Sequence, residues 1–283
     1  MVDRVNADVR IRVVEHSGFC FGVKRAIAIV ENGLKRHKKL YSFGPLIHNP
    51  QIVDSLHKKG LQQFSNRCDF PVVIRSHGII KSDLEELKAI GCTHLDATCP
   101  YVKNAQKQII EYEKKGYKIV IFGDHYHQEV RGLVSYSKRR AIVVEDIDEV
   151  PKDLDKYPLI AVLSQTTKAR KDFLLIFKKI KELNSSALKL DTICGSTQVR
   201  QTETVKLAQE SELMIVVGGK NSANTKMLAK ISSKYSKTLH IETEDELAKQ
   251  DFVGYKNIGI TSGASTPNWM TKKVKKKIEK MLS

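Results

Sequence analysis

Two short stretches, His94-Leu-Asp-Ala-Thr-Cys-Pro100 and Lys189-Leu-Asp-Thr-Ile-Cys-Gly195, have one shape: an apolar run, an Asp, two residues, a Cys, then a helix-like segment. Val13-Val-Glu-His-Ser-Gly-Phe-Cys-Phe-Gly22 is a looser copy. A pattern met three times constrains the fold, because each copy must build the same supersecondary unit. Around these copies, apolar runs bounded by Gly, Asp or Ser alternate with amphipathic stretches from end to end. Such alternation predicts an α/β protein with mostly parallel sheets. Strands are expected over 10–14, 39–43, 72–75, 94–98, 118–122, 159–163, 188–193, 213–217 and 257–261. The clearest helices are expected over 23–38, 102–115, 197–209, 225–235 and 268–281.

Two further features recur. One is a strand ending in Gly before a polar cluster: Tyr41-Ser-Phe-Gly-Pro-Leu-Ile-His-Asn49, Ile119-Val-Ile-Phe-Gly-Asp-His-Tyr-His-Gln-Glu129 and Ile215-Val-Val-Gly-Gly-Lys-Asn-Ser-Ala-Asn224. The other ends in small hydroxyl or imidazole groups: Ile74-Arg-Ser-His-Gly78, Val162-Leu-Ser-Gln-Thr-Thr167 and Ile260-Thr-Ser-Gly-Ala-Ser265. The division that follows is three pseudo-symmetric α/β units, 9–98, 99–190 and 191–283, the last carrying a C-terminal basic helix. Loops after strand C-termini form ligand sites in open α/β sheets. Three such units about a common axis would bring nine loops to one place.

At 283 residues the chain is long enough for a substantial core. It contains no run of about 18 apolar residues, so no membrane-spanning helix is expected. Its start lacks a signal-peptide core. An odd count of 5 cysteines argues against a secreted disulfide scaffold, and a reducing cytoplasm is the expected compartment. The net charge of +16 suits nucleic acid, an anionic substrate or an acidic partner. Much of it is lysine at helical surface positions, as in the tail 271–283, where a solvated helix face with Val274, Ile278 and Met281 turned inward accounts for the pattern. Nucleic acid is not expected: aromatics are only 7% and do not interleave with the basic residues as a stacking surface requires.

Cys20, Cys99 and Cys194 each stand where a helix begins, a position that favours the metal-binding thiolate. A lone Cys is most often a small buried hydrophobe, the reading that holds for Cys68 and Cys92, which have no counterparts in the other copies. Three thiolates with no fourth Cys suit either zinc, completed by His48, His77 or His127, or an iron–sulfur cluster with one open iron. A second ring of donors, His48, His77 and His127 with Ser222, Asn224 and Ser265, suits an oxyanion-rich group such as a diphosphate, assisted by backbone N–H groups at the helix start after Lys220. Each of these is, taken singly, more often a helix cap or an ordinary packed residue. Glu129 has no carboxylate counterpart in the other copies. In a largely neutral pocket it would hold a proton to deliver, oriented or relayed by the Thr166 hydroxyl.

Gly18-Phe-Cys-Phe-Gly-Val23, Asp96-Ala-Thr-Cys-Pro100, His127-Gln-Glu-Val130, Ser164-Gln-Thr-Thr167, Asp191-Thr-Ile-Cys194, Lys220-Asn-Ser-Ala-Asn224 and Ser262-Gly-Ala-Ser265 occur in that order. In this set the chain resembles the 4-hydroxy-3-methylbut-2-enyl diphosphate reductase (IspH/LytB) family from about Val13 to Trp269. The resemblance implies the last step of the non-mevalonate isoprenoid pathway, in which two electrons and two protons remove an allylic hydroxyl to give isopentenyl and dimethylallyl diphosphate. It also implies three α/β units around one central 4Fe–4S cluster per subunit, with Cys20, Cys99 and Cys194 as ligands and one open iron. His48, His77, His127, Thr166, Ser222, Ala223, Asn224 and Ser265 would line the substrate. Glu129, Thr166 and His127 would serve catalysis. Reduced ferredoxin or flavodoxin is the implied electron donor.

Two positions depart from the family pattern. Ala223 stands where a second Ser is common, so one hydrogen bond to the diphosphate is expected to be missing or supplied by backbone. Gln128 replaces a frequent Pro and is expected to loosen the loop before Glu129. A cluster-dependent hydro-lyase and a zinc-stabilised RNA-binding protein are the competing classes. Dependence of product on reductant separates the first, and colourless zinc-containing protein would mark the second.

Overall fold

The computed structural model describes residues 9–65 and 67–283. In chain order, β1 (Arg10–Val13), α1 (Phe21–His37), β2 (Leu40–Ser42), α2 (Pro50–Lys58), β3 (Leu61–Gln63), β4 (Val72–Ile74), α3 (Lys81–Ala89) and β5 (His94–Asp96) come first. Next are α4 (Pro100–Lys114), β6 (Lys118–Phe122), α5 (Gln128–Ser135), β7 (Ile142–Val144), β8 (Ile160–Ser164), α6 (Arg170–Leu183) and β9 (Leu188–Lys189). The chain closes with α7 (Gly195–Gln209), β10 (Leu213–Val217), α8 (Ala223–Ser232), β11 (Lys237–Ile241), β12 (Asn257–Ser262) and α9 (Asn268–Leu282). Three four-stranded sheets result, β3-β2-β4-β5, β7-β6-β8-β9 and β11-β10-β12-β1. Every described strand pair is parallel. The three orders are one order repeated, so the α/β class with parallel sheets expected from sequence is what the chain adopts.

The repeat is permuted at its ends. From sequence, residues 10–14 fall in the unit 9–98, yet β1 completes the sheet of the last third, pairing Ile11 with Ile258 and Val13 with Ile260. The reason is apolar: Ile11 and Val13 pack on the cluster of Ile215, Ile258, Ile260, Val274 and Ile278. By compactness the chain forms two units. One comprises the described residues up to Phe21, His48–Pro50 and Gly195–Ser283; the other comprises Gly22–Ile47 and Gln51–Cys194 and holds two of the three sheets.

In the larger unit, β6 and β8 sort their side chains by the two-residue period of a strand. Val120, Phe122 and Val162 face Phe173, Ile176 and Ile180 of α6. Ile119, Ile121, Ala161 and Leu163 face Ala105 and Ile109 of α4 and Val130 and Leu133 of α5. Burial on both faces explains why these strands read as unbroken apolar runs. In α9, Val274 and Ile278 are fully buried and Met281 packs against the same cluster, leaving the lysines outward.

Two expectations need correction. The strand placed over 188–193 stops at Lys189. Thr192 ends it, because its hydroxyl takes the ladder's place, accepting from the Ser164 N–H at 2.9 Å and donating to the Ser164 carbonyl at 2.6 Å. Cys68, expected to be a small buried hydrophobe, is exposed and disulfide-bonded to buried Cys92, with Cα atoms 5.1 Å apart.

Candidate active site

One backbone link holds all three repeated cysteines. The N–H of Cys20 donates to the Ala264 carbonyl at 3.0 Å, that of Cys99 to Ser76 at 2.9 Å, and that of Cys194 to Thr166 at 3.0 Å. Each cysteine follows an edge strand (β1, β5, β9), and each acceptor follows the strand beside it (β12, β4, β8). All three are half-buried thiols directly before a helix, α1, α4 or α7. Cys99 is the cap residue of α4, with Pro100 at the first helical position, where a missing N–H costs nothing.

In the larger unit the expected residues form a continuous chain of contacts. Glu129, 1% exposed, accepts a hydrogen bond from the Thr166 N–H at 2.7 Å on one oxygen and bonds the Thr166 hydroxyl at 2.9 Å on the other. Burial pushes the Glu129 carboxyl up to about 7, against the opposing pull of both Thr166 donors. Thr166 also carries the carbonyl that receives Cys194. His127 caps α5, its Nδ1 accepting from the Glu129 N–H at 3.1 Å. That bond places the proton of the neutral imidazole on Nε2. The His77 and His127 rings meet edge to face, with centroids 5.7 Å apart. Ser76, which holds Cys99, immediately precedes His77.

The smaller unit carries a second connected set. The Ser265 hydroxyl donates to the His48 carbonyl at 3.0 Å. Gly219 lies against that same carbonyl, which a Cβ would approach to 2.5 Å, so only glycine lets the turn before Ser222 come so close. Ser222 caps α8 through the Thr225 N–H at 3.3 Å, with Ala223 as the first helical residue. Asn224 is 4% exposed, and both polar atoms of its amide are buried with no hydrogen-bond partner. A fully buried, unsatisfied amide costs free energy unless a ligand completes it. Lys220 is diverted elsewhere: its N–H donates to Glu242 at 2.7 Å and its ammonium to Glu246 at 2.5 Å.

Two arginines escaped the sequence analysis. Arg200 of α7, 3% exposed, donates to the Gly18 carbonyl and, at 3.1 Å, to that of Ser262, fixing the loop that carries Cys20. Arg25 of α1 donates to the carbonyls of Thr98 at 3.1 Å and Asp96 at 3.3 Å, doing the same for the Cys99 loop. The available signal was an Arg at nearly the same step after Cys20 and after Cys194, absent after Cys99.

Comparison with known proteins gives one consistent result. A 4-hydroxy-3-methylbut-2-enyl diphosphate reductase of Campylobacter hominis is 42% identical over 279 residues, covering 96% of this chain and 100% of its own. One of Aquifex aeolicus is 39% identical over 281 residues, covering 96% and 97%. Among solved structures, that of an (E)-4-hydroxy-3-methyl-but-2-enyl diphosphate reductase, described as the terminal enzyme of the non-mevalonate pathway, shares 39% identity at a TM-score of 0.69 over 96% of this chain and 99% of that one. That of the E-1-hydroxy-2-methyl-but-2-enyl-4-diphosphate reductase from Plasmodium falciparum shares 29% identity at a TM-score of 0.88, over 95% of this chain and 87% of that one. The profile of the LytB protein family matches residues 11–279 and so spans all three cysteine-bearing repeats, and the chain belongs to that family.

Proposed function

We propose that this chain reductively removes the allylic hydroxyl of (E)-4-hydroxy-3-methylbut-2-enyl diphosphate, giving isopentenyl diphosphate, dimethylallyl diphosphate and water. The relatives reported above carry the name of that reductase. The observation that carries the reading at residue level is the buried Glu129–Thr166 pair, a carboxyl held near neutrality in its proton affinity and gripped on both oxygens.

The donor set fits the groups the reaction needs. Three half-buried thiols in three copies of one backbone link suit a soft metal centre with a position left open. The unsatisfied Asn224 amide beside the capped start of α8 suits diphosphate oxygens. A 4Fe–4S cluster on Cys20, Cys99 and Cys194 would supply the electrons and a Lewis-acid iron for the departing hydroxyl. Ser222, Asn224, Ser265 and His48 hold the diphosphate, joined by His77, by the Nε2–H of His127 and by the backbone at Ala223. The Thr166 hydroxyl, which donates to the second Glu129 oxygen, orients the carboxyl and would relay its proton toward the leaving oxygen. Burial around Glu129 keeps water from competing for it. The electron donor is a small acidic carrier of the ferredoxin or flavodoxin type, and the compartment is the cytoplasm. Among the described residues no helix is long and apolar enough to cross a membrane.

The test is an anaerobic assay with the diphosphate substrate and a reduced donor. Reductant-dependent formation of both isoprenyl diphosphates is expected; turnover that ignores the reductant would overturn the reading in favour of a hydro-lyase. Replacing Cys20, Cys99 or Cys194 with Ser should each remove most of the brown colour of the anaerobic protein. Colourless, zinc-loaded wild-type protein would overturn the cluster assignment.

A further inference from the structure

Gln128, at the first helical position of α5, lies between two residues placed in the machinery above, His127 and Glu129. Its Oε1 accepts a 2.7 Å hydrogen bond from the Arg75 guanidinium. Arg75 opens the turn that carries His77. The Gly78 N–H donates to the Arg75 carbonyl at 3.0 Å, and the Arg75 Nε donates to the Gly78 carbonyl at 3.2 Å, so one side chain closes the turn from which it springs. Gly44, with φ of +83°, lies beside the guanidinium, where a Cβ would come within 2.9 Å of the arginine. Arg75 therefore has little room to swing. Burial holds its pKa below the ordinary arginine value despite the attraction of Asp83, so its position costs desolvation that hydrogen bonds must offset.

The rest of α5 is moored to the same segment. Gly132 lies over the backbone carbonyls of His77 and Ile79, and the Ser135 hydroxyl accepts from the Lys81 N–H at 2.9 Å. Those moorings sit in the second half of the helix. A helix start has unpaired N–H groups and frays first, and here that start carries the proton donor.

We propose that Arg75 and Gln128 are a positioning pair: they clamp the first turn of α5 to the His77 turn, and so fix the His77–His127 contact and the aim of Glu129. This rests on the reading of Glu129 as the acid, and the test separates the two. His127 has φ −68° and ψ 136°, the extended conformation that a residue before proline requires. A proline at 128 would thus lock the first helical residue by its ring, without Arg75.

The experiment measures amide hydrogen exchange at Glu129, whose N–H is held by the His127 cap, together with turnover, in the full-length holoenzyme variants Q128L, R75M, R75M/Q128L and Q128P. Q128L and R75M are expected to speed Glu129 exchange and lower kcat about tenfold each. The double variant should be no worse than either single one, and Q128P should restore both readouts. Unchanged exchange in Q128L, or additive losses in the double variant, would overturn the clamp. Faster exchange with undiminished turnover would uphold the clamp and overturn Glu129 as the acid.

Discussion

At Glu129, burial and hydrogen bonding pull the carboxyl in opposite directions, and burial wins. A carboxyl whose folded pKa is near 7 rather than 4.5 stays protonated while its unfolded counterpart ionises. Its contribution to stability is complete below pH 4.5 and is lost as pH rises to about 7, a change of about 3 kcal/mol. Glu129→Gln should remove that slope from denaturant-derived stabilities between those limits and lower turnover by two orders of magnitude or more. Near-normal turnover would show that the proton comes from elsewhere. Wild-type turnover should fall as pH rises through about 7, as the acid loses its proton. Asn224 makes the opposite case, a buried amide whose two polar atoms have no hydrogen-bond partner in the ligand-free protein. Asn224→Leu should raise the stability of the ligand-free protein by about 1 kcal/mol, by removing an unsatisfied buried amide. The same change should weaken inorganic pyrophosphate binding at least tenfold by calorimetry. Glu129 was legible because no other copy of the repeat has a carboxylate there, whereas Arg25 and Arg200 bind backbone carbonyls of remote segments, a partnership that leaves no local pattern.

Among the elements, the central strands were legible as apolar runs, whereas one edge strand of each sheet, β3, β7 and β11, was not. β11 reads Lys-Thr-Leu-His-Ile, and β3 exposes two of its three residues. An edge strand keeps polar side chains toward water, which blurs the period that identifies it. α2 and α5 were missed for another reason: their starts are the polar clusters His48-Asn49 and His127, read as loop chemistry while also serving as helix entrances. The disulfide between Cys68 and Cys92 staples the segment between β3 and β4 to the entrance of β5. It closes a loop with sequence separation 24. Chain-entropy arguments give such a closure about 3 kcal/mol. Thiol-reducing buffer, or Cys68→Ser, should lower the unfolding free energy by up to that amount. An unchanged denaturant midpoint would show that the cross-link does not constrain the unfolded chain.

Over the whole molecule, charge and repeat do separate work. A chain of net charge +16 would draw the proposed acidic electron carrier by long-range attraction, which salt screens. Turnover driven by such a carrier at limiting concentration should fall severalfold between about 50 and 300 mM salt. Turnover driven by a small chemical reductant should stay nearly level. Equal sensitivity would place the effect on the substrate instead. The three-fold pattern was legible because each copy repeats strand, Cys and helix. Its permutation was not, since local sequence cannot say which neighbour an edge strand will choose. That choice decides the order of events at birth. β1 leaves the ribosome ahead of every other described strand, while its partner β12 is made near the end. The carbonyl of Ala264 that receives Cys20 is later still. Through nearly the whole of synthesis, then, this strand waits unpaired and Cys20 has no seat. The seat of Cys20 is therefore the last of the three cysteine links to become available, after that of Cys99 on Ser76 and that of Cys194 on Thr166.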